Sequence, residues 1–483
     1  MDESFVKLAR IENPAALRDR CAELGIDLPV DDDLLTAVQG SPLAQPMHIG
    51  PHRVGNRWCI HPMEGWDANR DGSPSDFTLR RWRNFGLSGA KLIWGGEAAA
   101  VCPEGRANPN QSLAVPENKV GLGRLRDELM LAHREAFGQT DDLLVGLQLT
   151  HSGRFCRPQE KGRAEPRIAY HHPLLDKKFQ IDSDDQKIVF SDDELRRLMD
   201  CYVAAARLAY DVGFSFIDVK ACHGYLLHEF LSARMRPGPF GGDFEGRTRL
   251  LREIIGRIGD EVPELTIVVR LSVFDIVPYE TSREKGRPMD FTSHLPYQHA
   301  FGADPGNPLA MDLAEAIRLI KILKEQHVAA LNISCGSPYY CPHVQRPAAF
   351  PPSDGYQPPE DPLVGVARQI RAAKLCKDAV PEMPMVGSGY SYLQDYLPHV
   401  AQAVVRQGWI DSVGLGRMVL SYPELPADVL VGDPLRRKRI CRTFSDCTTA
   451  PRKGMISGCF PLDPYYKTLD EFKQLRDIKR AQK

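Results

Sequence analysis

The chain has no stretch of about 18 consecutive apolar residues, so nothing in it reads as a membrane-spanning helix. Its first residues, Met-Asp-Glu-Ser-Phe-Val-Lys, lack the basic-then-apolar order of a secretory leader. Charge of one sign is missing too. The 61 Lys and Arg against 63 Asp and Glu leave a net −2, which favours neither nucleic acid nor an anionic membrane as a partner. Twelve cysteines in 483 residues are scattered rather than densely framed, which suits a reducing cytoplasm better than a disulfide scaffold. No Gly-x-Gly-x-x-Gly follows an early strand, which weighs against a doubly wound sheet, the structural alternative. No internal repeat or low-complexity tract stands out. What remains, with 43% hydrophobic and 26% charged residues, is the profile of a globular protein, expected to be cytoplasmic and a homo-oligomer.

Short apolar, β-branched runs alternate with longer amphipathic stretches, as a repeated βα unit requires. Strands are expected near 57–62, 90–95, 143–149, 214–220, 266–272, 328–334, 383–388 and 410–415. The clearest helix covers 192–212. Ser191 and Glu194 are spaced as a capping box, Leu195, Leu198, Met199, Tyr202 and Ala206 recur at helical spacing, and Gly213 follows as the stop. Asp312 and Glu315 predict a second capping box. Eight such units predict an α/β fold, a (β/α)8 TIM barrel with its site at the C-terminal ends of the strands. Residues 46–432 make the barrel, 1–45 an N-terminal extension helical around 15–25, and 433–483 a basic, cysteine-bearing C-terminal tail. Residues 274–310 interrupt the unit after the fifth strand and are expected to form a lid.

Arg270 ends the run Thr-Ile-Val-Val-Arg-Leu-Ser, and Gln148 lies on an apolar third strand. A guanidinium and an amide there suit a flavin, which needs positive charge near N1/O2 and hydrogen-bond partners along its pyrimidine edge. Taken alone, a strand-end Arg is more often a structural ion pair. Gly387-Ser388-Gly389 and Gly414-Leu415-Gly416-Arg417 follow the seventh and eighth strands, where barrels bind phosphate through backbone N–H groups. Each Gly pair alone is more often a tight turn; two at both expected loops point to a cradle, with Ser388 and Arg417 as direct contacts.

Residues 148–154 read Gln-Leu-Thr-His-Ser-Gly-Arg, and 218–232 read Asp-Val-Lys-Ala-Cys-His-Gly-Tyr-Leu-Leu-His-Glu-Phe-Leu-Ser. Together they resemble the Old Yellow Enzyme family of flavin oxidoreductases. The resemblance extends to Pro62-Met63, Glu97-Ala98, Val101–Arg106, Phe240–Arg247 and Gly414–Arg417, and spans roughly 41–430. It implies an FMN cofactor, with Pro62, Met63, Ala98, Gln148, Arg270, Gly389, Gly416 and Arg417 as its contacts, and NAD(P)H as electron donor. Tyr225 matches the tyrosine that protonates a substrate carbon, and Lys220 and His223 match the pair that grips the substrate oxygen. The family pattern is His-x-x-His/Asn-Gly-Tyr; here its first position is Lys220. Glu64 stands where relatives place Thr or Cys. Both departures suggest a Glu64–Lys220 pair tuned to a charged small-molecule substrate, with a purely structural salt bridge as the plainer reading.

Iron–sulfur relatives carry Cys-x2-Cys-x2-Cys-x11-Cys in this tail. Here the register is Cys441, Phe444, Cys447, Cys459. A 4Fe–4S cluster wants four thiolates and phenylalanine cannot ligate, so a degenerate motif is the favoured reading and no metal is expected. Nor does the tail leave room for the nucleotide-binding region of larger relatives, so electrons are expected from NAD(P)H directly or from a separate partner. The expected reaction is hydride transfer through FMN to an electron-poor C=C bond. Oxidation of a methylated amine or amino acid is the alternative, and an inactive barrel serving as a binding subunit is the second.

Overall fold

Eight parallel strands, numbered β1–β8 along the chain, form a closed ring: Trp58–Ile60, Leu92–Ile93, Leu144–Thr150, Phe216–Ala221, Thr266–Phe274, Leu331–Cys335, Met385–Gly387 and Ser412–Leu415. Each pairs with the next, and β8 returns to β1 through Val413↔Trp58 and Leu415↔Ile60. This computed structural model describes residues 5–282 and 285–481; the opening Met-Asp-Glu-Ser, two residues of the expected lid and the last two of the tail lie outside the described residues. The fold is a (β/α)8 barrel, and every expected strand lies on an observed one.

Two cores follow from the strand alternation. Trp58, Ile60, Ile93, Leu147, Leu149, Ile217 and Val219 point outward into the layer between sheet and helices. Cys59, Leu92, Trp94, Leu144, Phe216, Val268 and Val386 fill the barrel interior, together with Met47, Ile49 and Val54. Those last three come from an antiparallel hairpin, Met47–Ile49 with His52–Val54, that covers the N-terminal end of the barrel. His52 Nε2 lies 3.1 Å from the hydroxyl of Thr266, the first residue of β5. Higher in the barrel the inward positions turn polar.

The helix Asp192–Asp211 has its capping box: the Glu194 carboxylate accepts from Ser191 N at 2.8 Å, and Gly213 follows with φ 86°. The second capping box is a correction. The helix Ala314–Glu325 starts with Asp312 accepting from Ala314 N at 3.0 Å, while Glu315 turns away to Arg234 at 3.0 Å and Arg247 at 2.7 Å. Two guanidiniums outbid one backbone N–H for that carboxylate. The extension contains the helix Pro14–Glu23. In the segment after β5 a hairpin forms from Tyr279–Ser282 and Lys285–Pro288. Of its described residues Thr281 alone lines the larger cavity; Val277, Met289, Tyr297 and Ala300 instead pack with Leu174 at the side of the barrel. The tail folds back over the mouth with the helix Asp446–Arg452. No helix among the described residues is long and apolar enough to cross a membrane.

Candidate active site

At the C-terminal end of the barrel, register sets the polar layer. Gln148 on β3 is the partner of Asp218 on β4, and Lys220 is the partner of Arg270 on β5. Gln148 Nε2 donates to Asp218 Oδ2 at 2.6 Å, and Arg270 N donates to Asp218 Oδ1 at 2.6 Å. Burial pushes the Asp218 carboxyl up to about 7, against these two bonds. Beside them, His61 follows β1, with Nδ1 3.0 Å from the Asn332 amide and Nε2 3.2 Å from Ser388 Oγ. Burial and the Arg270 cation hold its imidazole well below its ordinary value. Gly414 on β8 makes room for that ring, since a Cβ there would stand 2.0 Å from His61 Cε1.

Two connected cavities open above this layer. They share Pro62, Glu64, His223, Arg270, Arg346 and Cys447 as walls. The smaller, about 270 Å³, is also lined by Met63, Ser388, Gly389, Gly416 and Arg417. The larger, about 580 Å³, is lined by Gln148, Lys220, Tyr225 and Tyr339. The residues singled out in the sequence are therefore brought together, with two exceptions. Ala98 is buried beside β3, its carbonyl accepting from Gln111 Nε2 at 2.8 Å, and Gly387 is buried within β7; neither lines a cavity.

Glu64 is held by the loop after β1. Arg81 bridges Asp67 and Glu97, each at 2.8 Å, and Glu97 Oε1 accepts from Gly65 N at 3.0 Å. Glu64 Oε2 then accepts from the Tyr225 hydroxyl at 2.5 Å and lies 3.8 Å from Lys220 Nζ. The Tyr225 hydroxyl also meets that of Tyr339 at 2.8 Å, and Lys220 Nζ sits 3.6 Å from the centre of the Tyr225 ring. Tyr339 is fixed by stacking on Phe155 at 3.9 Å. Burial, then Glu64, pushes the Tyr225 phenol well up, while burial pushes Lys220 down against the pull of Glu64. His223, at φ 66°, has Nε2 facing Ser334 Oγ at 2.9 Å and the Gln345 amide nitrogen at 3.2 Å. With that amide orientation Nε2 accepts and the ring proton sits on Nδ1. Burial and Arg270 keep the ring neutral.

The smaller cavity suits a phosphorylated cofactor. Arg270 is 6% exposed, and its Nε has no partner among the described residues. Arg417 gives Nη2 to the Pro347 carbonyl at 2.9 Å, and its Nη1 has none. Arg346, absent from the sequence reading, is pushed down to about 9 by burial and by Arg417; among the described residues its guanidinium meets only the hydroxyls of Thr448 and, at 3.2 Å, Ser445. Two neighbouring cations without a carboxylate in ion-pair contact among the described residues, beside open space at Gly416, are the chemistry a phosphate would need.

A family model described as NADH:flavin oxidoreductase / NADH oxidase matches residues 42–287, about half the chain. The chain belongs to that family. It is a flavin-dependent oxidoreductase of the Old Yellow Enzyme type. It is similar to a NADH:flavin oxidoreductase of Gibberella zeae, 26% identical over 395 residues, 79% of this chain and 83% of that protein. In three dimensions it is similar to 2-naphthoyl-CoA reductase in complex with 2-naphthoyl-CoA, with TM-score 0.65 and 20% identity. That match covers 89% of this chain but only 58% of the reductase, so the chain spans just over half its length. The old yellow enzyme homologue from Zymomonas mobilis matches with TM-score 0.55 and 20% identity, over 82% of this chain and 94% of that one.

The tail is a wall of the site. Cys447, Thr448 and Ser457 line both cavities, and Ser457 Oγ accepts from Trp66 N at 2.8 Å. Phe444 packs on Phe350 at 5.5 Å, and Cys441 and Cys459 are buried and line neither cavity. Among the described residues no three His, Cys, Asp or Glu side chains converge to hold a metal ion. Asp218, His61, Arg346 and Tyr339 were missed in the sequence. Asp218 alone carried a signal: it shares the inward phase of Lys220 two residues on.

Proposed function

We propose that the enzyme takes electrons from NAD(P)H and reduces the C=C bond of an electron-poor small molecule in a two-step, ping-pong cycle. Arg346, Arg417, Ser388, Gly389 and Gly416 would hold the FMN phosphate, and Pro62, Met63, Gln148 and Arg270 the ring. Bound there, FMN supplies hydride transfer from donor to substrate. The observation that carries the reading is the Tyr225 hydroxyl, poised in the larger cavity between Glu64 at 2.5 Å and Tyr339 at 2.8 Å with Lys220 over its ring.

Lys220 and His223 bind the substrate's carbonyl or nitro oxygen and draw electron density from the double bond. A neutral His223 with its proton on Nδ1 donates without adding a second buried cation. Tyr225 stays a phenol at neutral pH and gives its proton to the substrate carbon, after which Tyr339, on the same hydrogen-bond chain, restores it. Glu64 holds the phenol in place and compensates Lys220. Oxidation of a methylated amine is the weaker reading, because Lys220 in the pocket repels an ammonium.

The test is anaerobic. The purified protein is titrated with NADH and NADPH while its flavin bands are followed, and the bleached enzyme is mixed with 2-cyclohexen-1-one and with a panel of charged enoates. Bleaching by a nucleotide and return of colour with an alkene is the expected result. Bleaching by N-methyl amino acids, with no return of colour on any alkene, would sink the reading.

A further inference from the structure

The larger cavity has far more positive charge than the proposed chemistry uses. Seven Lys and Arg side chains line it against two carboxylates, Glu64 and Asp354, in a chain whose net charge is −2. Arg270 and Arg346 face the smaller cavity as well, where the cofactor accounts for them. Lys220 is paired with Glu64, and Arg452 with Asp354 at 2.6 Å. Arg157, Lys161 and Lys178 are left over. All three are half-buried. Lys161 Nζ donates to the Gly454 carbonyl and Lys178 Nζ to the Tyr279 carbonyl, each at 2.9 Å, and no carboxylate pairs with any of the three among the described residues.

They come from one excursion of the chain. Arg157 and Lys161 lie on the loop after β3, and Lys178 on the helix Pro173–Phe179 that ends it. Elsewhere in this protein a partly buried cation usually has an acid beside it, as Arg20 has Asp361 and Arg167 has Glu194. Glu280 and Asp354 act on Lys178 only at a distance, and Arg70 adds to the positive surroundings of Lys161, so an anion among the three would find cations not already held in an ion pair. Aromatic faces border the same space in Phe179, Tyr339 and Tyr356.

We propose that Arg157, Lys161 and Lys178 form a phosphate subsite at the outer end of the cleft, binding the diphosphate of a ligand whose reacting end lies against Tyr225. This deepens the function proposed above and rests on it for the position of the reacting end. A diphosphate arrives in this cleft from either of two sources: the nicotinamide dinucleotide donor, or a substrate acyl group carried as a thioester on a phosphorylated nucleotide. Both present the same chemistry, oxyanions that accept charge-assisted hydrogen bonds from guanidinium and ammonium groups.

The experiment compares the flavin-loaded wild type with the triple variant Arg157→Gln/Lys161→Gln/Lys178→Gln. Calorimetry with inorganic pyrophosphate reads the subsite directly. The flavin spectrum and melting temperature check that the variant is folded. Rapid mixing with NADPH, and of dithionite-reduced enzyme with crotonyl-CoA and with uncharged 2-cyclohexen-1-one, separates the sources. Pyrophosphate binding by the wild type, weakened about tenfold or more in the variant with cyclohexenone unaffected, is the expected result. A matching loss for NADPH alone assigns the subsite to the donor, for crotonyl-CoA alone to the substrate. If the triple variant loses its flavin, Lys161→Gln alone and pyrophosphate protection of the wild type against NADPH reduction give the same reading. Pyrophosphate that neither binds nor competes, together with unchanged NADPH and crotonyl-CoA kinetics in the variant, overturns the proposal. Pyrophosphate binding with no alkene turned over would leave the subsite standing and remove the function it was built on.

Discussion

At the scale of single residues, Lys220 and Asp218 occupy the same inward face of β4 and do opposite things. Lys220 is 5% exposed and owes its cation to Glu64, 3.8 Å away. Lys220→Ala leaves the Glu64 carboxylate with Tyr225 alone and removes a ligand for the substrate oxygen. The expected outcome is a fall of roughly two orders of magnitude in kcat/KM for the accepted alkene, with NAD(P)H reduction of the flavin changed far less. Stopped-flow on each half-reaction measures both, and unchanged binding and turnover would show the pair to be structural. Asp218 gives a pH signature. Its folded carboxyl is raised to about 7, above the ordinary unfolded value of 3.8. The stability it contributes is therefore present below about pH 4 and lost as pH rises through about 7, on the order of 4 kcal/mol across that window. The unfolding free energy of the flavin-free protein should fall more steeply from pH 5 to pH 8 than that of Asp218→Asn. Equal slopes in urea titrations would assign the ionisation elsewhere.

Among the elements that the barrel plan does not require, the helix Asp446–Arg452 lines both cavities through Cys447 and Thr448. It brings Thr448 to the guanidinium of Arg346, a half-buried cation with no carboxylate in ion-pair contact among the described residues. Thr448→Val keeps the shape and removes the acceptor. It should destabilise the protein by about 1–3 kcal/mol and loosen FMN several-fold. Fluorescence of released FMN reads the affinity, and tight retention by the variant would mean that Ser445 suffices. The same element shows where sequence stops being informative. The eight strands and the helix Asp192–Asp211 were readable because alternation and capping are local. The capping box at Asp312 failed because Arg234 and Arg247, far away in sequence, take Glu315. Arg346 gave no signal for the same reason: its importance lies in what the tail, about 100 residues later, folds onto it. The spacing of Cys441, Cys447 and Cys459 was visible, but of these only Cys447 lines the cleft, together with Thr448, Pro451, Arg452 and Ser457 of the same tail. Resemblance named residues that the barrel plan brings to the cleft, and from the tail it named Cys447 but neither Thr448 nor Ser457.

For the molecule as a whole, charge is distributed against its average. A chain with net −2 gathers seven cations around one cleft, so the field there is opposite in sign to that of the protein at a distance. Attraction of an anionic donor is then short-ranged and sensitive to salt. Raising ionic strength from about 0.05 to 0.5 M shrinks the screening length several-fold and should lower kcat/KM for NADPH while leaving a neutral alkene unaffected. Parallel salt profiles for the two would mean that the cations are already neutralised.

The hairpin Met47–Val54 has its own consequence for traffic. With Met47, Ile49 and Val54 packed against Trp94, Phe216 and Val268, the barrel is stoppered at one end, and the two connected cavities lie at the other. Spent donor has to leave by the way the acceptor comes in, and each blocks the other while it stays. Turnover should consequently slow as NADPH is raised far above saturation, with the acceptor relieving the slowdown by competition: a queue at the mouth of a barrel whose interior is packed from the hairpin up to the polar layer.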